Sequence, residues 1–197
     1  SGRFHILYDN KTVACLEMEF LHKGVPPLVM DARWEIRRHD EPDFDCPPDL
    51  KPSLLQLLGR LNICSKESMV RQYDHEVQGG SVVKPLVGVD NDGPSDAAVI
   101  RPVLESGEGV VVSHGICPRY GDIDTYHMAA CAVDEALRNY CAVGGSLDRV
   151  AGLDNFCWCD PITSENNPDG DYKLAQLVRA CMALYDYTTA FGVPCIS

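Results

Sequence analysis

The sequence has no apolar run approaching the roughly 20 residues that cross a bilayer, so no membrane helix is expected. Its first ten residues, SGRFHILYDN, carry a charge every few positions and no long apolar centre, unlike a secretory leader. Basic residues are scarce: 17 Lys and Arg stand against 29 Asp and Glu, a net charge of −12. Such a surface repels phosphate backbones and argues against nucleic-acid or anionic-membrane partners. A nucleotide whose charge is carried by a metal ion stays compatible with it. There is no CxxC pair, no GxxxxGK[ST] loop, no GxGxxG after a strand, no HExxH and no GxSxG. Their absence removes the common phosphate-loop, dinucleotide, zinc-protease and hydrolase signatures. A soluble cytoplasmic protein is the expectation.

What is present is ordinary in bulk. Hydrophobic residues make up 45% and charged residues 23% of 197 positions, enough for one sizeable core and at most two small domains. Ten cysteines are spread along the chain. Cys15, Cys131, Cys141 and Cys181 sit in apolar settings, where a reduced thiol behaves as a small hydrophobe. Cys157-Trp158-Cys159 alternates as a strand would.

The chain reads in three parts. Residues 1–35 contain two strands around a turn at Asp9-Asn10 and read as the end of a preceding domain. Residues 36–68 hold an acidic, proline-rich stretch, DEPDFDCPPDLKP, then a short helix at SLLQLLGRL and a second one that Ser65 can cap. Residues 69–197 form the main domain. SVVKPLVGV, DAAVIRPV and GEGVVVSHG read as strands, followed by a helix over about 124–143 with Asp124 as its cap. A fourth strand is expected near RVAGLDNFCW, then a second long helix, DYKLAQLVRACMALYDYTTAFG. The expected fold class is α/β (α+β), a mixed sheet of about four strands with helices packed on one face.

One stretch carries chemistry. On the first long helix, Met128, Cys131, Ala132, Glu135, Asn139, Ala142 and Val143 share a face, so Glu135 and Asn139 interrupt an apolar stripe at i, i+4. Two hard oxygen donors at that spacing suit Mg²⁺, which completes its shell with water and phosphate. A half-buried face with Glu135 paired to a cationic side chain fits the pattern equally. Asp134 and Arg138 read as a surface ion pair. Asp96 opens a strand after the turn DNDGPS, as a ligand or as a turn cap, and Asp154 and Asn155 stand between two apolar segments. His75, in YDHEVQGG, reads as a general base, a substrate contact or a hydrogen-bonding structural residue.

Taken in order, LNICSKESMVRQYDHEVQGGSVVKPLVG, GPSDAAVIRP, DTYHMAACAVDEALRNYCAVGG, LDNFCWCDP and PDGDYKLAQLVRACMALYDY resemble phosphoribosylformylglycinamidine (FGAM) synthase over about residues 55–197. The resemblance implies an aminoimidazole-ribonucleotide-synthetase N-terminal-like domain from the second half of that enzyme, truncated at its C-terminal end. It implies a purine-biosynthesis ligase that converts formylglycinamide ribonucleotide, ATP and glutamine-derived ammonia to FGAM, ADP and phosphate. By motif, Asp96, Glu135 and Asn139 match magnesium ligands, while Ser95 and Asp154 match positions at the nucleotide. No catalytic residue is carried over, and the piece alone is expected to be inactive. The implied partners are the pseudo-symmetric first half of the synthase and a glutaminase domain or subunit. An unpaired piece is expected to expose strand surface and to self-associate as a homodimer. The same residues equally suit a structural nucleotide-binding module.

Overall fold

A computed structural model describes residues 2–72 and 76–196, and the chain divides into two units, 1–32 and 33–197. The first unit is an antiparallel hairpin, β1 (Arg3–Tyr8) and β2 (Lys11–Glu17), followed by a six-residue helix α1 (Met18–Lys23). Its turn is the expected pair: Asp9 and Asn10 have φ of 47° and 58°, the left-handed conformation that a two-residue hairpin turn requires and that Asp and Asn tolerate.

In the second unit, residues 35–50 form no regular element and are exposed. Then come α2 (Lys51–Leu58), with a proline in its first turn where the missing N–H costs nothing, and the one-turn α3 (Glu67–Val70). Ser65 acts before α3 as expected, its hydroxyl accepting the Glu67 N–H at 3.2 Å. The strands are β3 (Ser81–Val83), β4 (Leu86–Val87), β5 (Gly93–Pro94), β6 (Ala97–Ile100) and β7 (Val110–Ser113). A 3-10 turn over Pro118–Asp122 leads into α4 (Thr125–Ala142), and α5 (Gly170–Phe191) follows. The composition of elements is mixed α and β, as expected.

The sheet differs from expectation. Its three strands run in the order β3-β6-β7, all antiparallel, rather than as a mixed set of about four. Residues 149–158 form no strand; only a single parallel bridge, Gly152 to Cys195, joins this stretch to the chain's last residues. The inward–outward alternation survives without the ladder: Trp158 is half-buried between exposed Cys157 and Cys159, and its indole N–H donates to the Lys173 carbonyl at 3.1 Å. That bond gives Trp158 a helix to anchor on, so periodicity two arises from packing alone.

Core formation falls mainly to the two long helices. Asp124 caps α4, accepting the Tyr126 N–H at 2.8 Å, and Gly192 in left-handed conformation closes α5. Ala130 of α4 and Ala175, Ala180 and Ala183 of α5 are buried, and such small side chains let helix backbones approach closely. Thr125 fixes the register with a 2.8 Å hydrogen bond to the Gln176 carbonyl. The cysteines are all free thiols, as expected, and Cys15, Cys131, Cys141 and Cys181 are exposed although they stand in apolar stretches. Alanines occupy buried positions of the helix interface instead.

Candidate functional site

The chain leaving β7 runs along α4, and three consecutive devices hold it there. The Ser113 hydroxyl donates to the Ala136 carbonyl at 2.8 Å. Gly115 lies so close that a Cβ would stand 1.9 Å from the Ala132 oxygen and 2.8 Å from the Ala136 nitrogen. Only a residue without a side chain permits this approach. The Asn139 amide donates to the His114 carbonyl at 3.1 Å, and Glu135 Oε2 accepts the Ile116 N–H at 2.9 Å and the Cys117 thiol at 3.4 Å. Glu135 and Asn139 therefore act together, as their i, i+4 spacing predicts.

The face that carries them is not a core stripe. Glu135 and Cys131 are exposed, and Asn139 is half-buried. The carboxylate faces the 116–117 segment and an open depression of about 700 Å³, bounded also by Tyr120, His127 and Tyr187. Asp134 and Arg138 form the expected surface pair at 2.6 Å.

Asp96 reaches the same end of the sheet through strand register. Asp96 is the bend immediately before β6, whose Ala97 pairs with Ser113, so it stands at the sheet end from which the 114–117 segment leaves. Asp96 is exposed and, among the described residues, makes no hydrogen bond or ion pair. Beside it, the Ser95 hydroxyl donates to the Ala97 carbonyl at 2.7 Å, while the Ser95 N–H donates to the Pro85 carbonyl at 3.0 Å. Asp154 is elsewhere: it is half-buried near Cys181 of α5, and no hydrogen bond or ion pair joins it to Asp96, Glu135 or Asn139 among the described residues. His75 lies outside the described residues.

Glu135, Asn139 and Asp96 each keep oxygen atoms of the kind a hard cation takes. Glu135 Oε2 is taken by two donors, which leaves Oε1, while the Asn139 carbonyl oxygen and both Asp96 oxygens accept nothing from the described residues. Carboxylate and amide oxygens are the donor type that Mg²⁺ takes, and that ion keeps most of its own water. The Ile116 and Cys117 bonds orient Glu135 as outer-shell partners orient a metal ligand. No three His, Cys, Asp or Glu side chains are gathered into a metal cluster among the described residues. Burial pushes the Cys117 thiol up, and the hydrogen bond and charge of Glu135 push it further in the same direction.

The sequence reading missed Cys117 and Gly115. Both lie in SHGIC, read only as the end of a strand; the signal available was a glycine between a β-branched run and Pro118, where a tight approach or turn is common. It also missed the anchor behind α4. Asp124 accepts two hydrogen bonds from Arg179, at 2.9 and 2.6 Å, which ties the start of α4 to the middle of α5.

No family model matches the chain. Over 98% of its length the chain is 32% identical to the phosphoribosylformylglycinamidine synthase subunit PurL of Picrophilus torridus. It is 34% identical over 96% of its length to the PurL subunit of Methanocaldococcus jannaschii, and 32% identical over its whole length to that of Anaeromyxobacter dehalogenans. The chain belongs to this family. It spans about a quarter of the length of these relatives, 24–25% in each case. Relationship to the FGAM synthase subunit thus extends to the N-terminal hairpin and the linker, beyond the 55–197 stretch that carries the motifs.

Proposed function

We propose that the chain is part of an FGAM synthase and contributes an Mg²⁺–nucleotide half-site to it. The reaction is the ATP-dependent conversion of formylglycinamide ribonucleotide and glutamine-derived ammonia to FGAM, ADP and phosphate. The observation that carries this reading is the attachment of Glu135 and Asn139 to the segment after β7, each with an oxygen left over, while Asp96 precedes the strand that pairs with β7. These three residues would hold Mg²⁺, and the bound ion supplies charge neutralisation for nucleotide phosphates. The chain's own residues orient the ligands: Ile116 and Cys117 hold Glu135, and Asn139 is held by His114. Ser95 borders the nucleotide beside Asp96, and Asp154 contacts it from a separate stretch. The domain has the aminoimidazole-ribonucleotide-synthetase N-terminal-like fold.

The sheet supports the reading of partners. Val82, Ile100, Val110 and Val112 expose 60%, 40%, 47% and 55% of their surface, a run of apolar side chains on the three-stranded sheet. The first half of the synthase covers this surface, or a second copy does in the isolated piece, and a glutaminase domain or subunit supplies the ammonia. Among the described residues no helix is long and apolar enough to cross a membrane.

A structural nucleotide module is the second reading, favoured by the two protein donors that already hold Glu135 in place. Glu135→Ala in the full-length protein separates the two. Loss of turnover, with folding intact, is expected if the site serves the chemistry; near-normal turnover removes that role. For a structural module the variant loses bound nucleotide and is less stable by RT ln(1 + [L]/Kd), about 2.7 kcal/mol at 100-fold saturation, measured as a drop in Tm. Unchanged nucleotide content and Tm would rule out the structural module, and near-normal turnover beside them would rule out both.

A further inference from the structure

The depression beside Glu135 contains a pairing that cation binding does not use. Cys117 enters it from the turn after β7, with its thiol on Glu135 Oε2 at 3.4 Å. Cys131 enters from α4, one turn before Glu135, and four residues along a helix place two Cβ atoms about 5–6 Å apart on one face. One carboxylate is thus flanked by a thiol from the turn and a thiol from the helix. Cys131 is exposed and open to small reagents, and Cys117 is half-buried. The backbone between them is already drawn together, because Gly115 rests on the α4 backbone at Ala132.

We propose that Cys117 and Cys131 are a redox pair that closes to a disulfide across Glu135 when the protein meets hydrogen peroxide. The exposed Cys131 sulfur attacks one peroxide oxygen; the O–O bond breaks, one water leaves, and Cys131 becomes a sulfenic acid. The Cys117 sulfur then displaces the hydroxyl as a second water and the S–S bond forms. In balance, two thiols are oxidised, one peroxide is reduced, and both thiol protons end in water. Closure removes the thiol donor from Glu135 Oε2 and ties the 115–117 segment, which positions that carboxylate, to α4. The effect on the cation site rests on the function proposed above; the cross-link does not.

Trypsin makes the pair readable. Cleavage at Arg119 and Arg138 leaves Cys117 and Cys131 each as the sole cysteine of its own peptide. The full-length protein is treated with equimolar hydrogen peroxide, digested without reduction and analysed by mass spectrometry, and its affinity for Mg²⁺–ATP is measured before and after. The expected result is a dithiothreitol-reversible link between these two peptides, absent in Cys131→Ser. Mg²⁺–ATP affinity should fall about 10- to 100-fold, as for loss of an outer-shell partner, in the wild type and not in Cys131→Ser. Peroxide that leaves both thiols free, or carries either to the sulfinic acid unlinked, overturns the pair. A link with unchanged affinity overturns the switch. Reduced protein that binds no Mg²⁺–ATP refutes the nucleotide site itself, while the peptide map still decides the thiol pair.

Discussion

Gly115 is the residue with the least freedom to change. An alanine there meets backbone atoms of α4, which cannot swing aside as a side chain can. Gly115→Ala is expected to destabilise by about 1–3 kcal/mol, the usual cost of overpacking, and to displace the Ile116 N–H from Glu135. Denaturant unfolding checks the first effect, and wild-type stability would mean that the segment relaxes freely. At this scale the sequence was informative where spacing is local. Glu135 and Asn139 are one helical turn apart, and Asp124 is a recognisable cap. Cys117 was not legible, because its partner lies 18 residues away on another element and no pattern within either stretch records the meeting. Asp96 comes to the sheet end where that segment starts only through the pairing of Ala97 with Ser113, a register that depends on the folded sheet.

Among the elements, the strap formed by residues 33–37 has the most specific attachment. Trp34 stacks on Tyr172 of α5 with ring centroids 5.4 Å apart and planes 9° from parallel. Arg37 covers the other participant, its guanidinium carbon 3.8 Å from the Tyr172 centroid, and Arg179 lies 4.3 Å from the Trp34 ring. Two cations and two rings therefore engage one another along α5, while the Arg33 N–H donates to the Asp171 carbonyl at 3.1 Å. Trp34→Ala removes a half-buried ring, a stacked pair and a cation–π contact, and a loss of about 1–3 kcal/mol is expected. Thermal unfolding measures it; a change in Tm within error would show the strap to be incidental. Nothing in the local sequence announces this contact, since Trp34 and Tyr172 are far apart in the chain. The two long helices, by contrast, were readable from caps and periodicity. The fourth strand was not realised because residues 149–158 find helix contacts through Trp158 in place of a neighbouring strand.

For the molecule as a whole, the Asp124–Arg179 link sets how the 33–197 unit responds to acid. Burial alone would raise the Asp124 carboxyl, but the Tyr126 N–H and the Arg179 guanidinium outweigh it and hold the group below the ordinary carboxylate range. An unfolded aspartate titrates near about 3.9. The link therefore contributes its full stability above that pH and loses it as pH falls through the lower folded value. Asp124→Asn should flatten the rise of Tm with pH below about pH 4, and should lower Tm at neutral pH through loss of the charged pair. A wild-type pH profile in the variant would assign the acid response to other carboxylates. One further consequence concerns optics. The chain has two tryptophans, Trp34 and Trp158, and both attach to α5. Tryptophan fluorescence will thus report the docking of that single helix, while the hairpin of residues 1–32 carries no tryptophan of its own and is followed by circular dichroism.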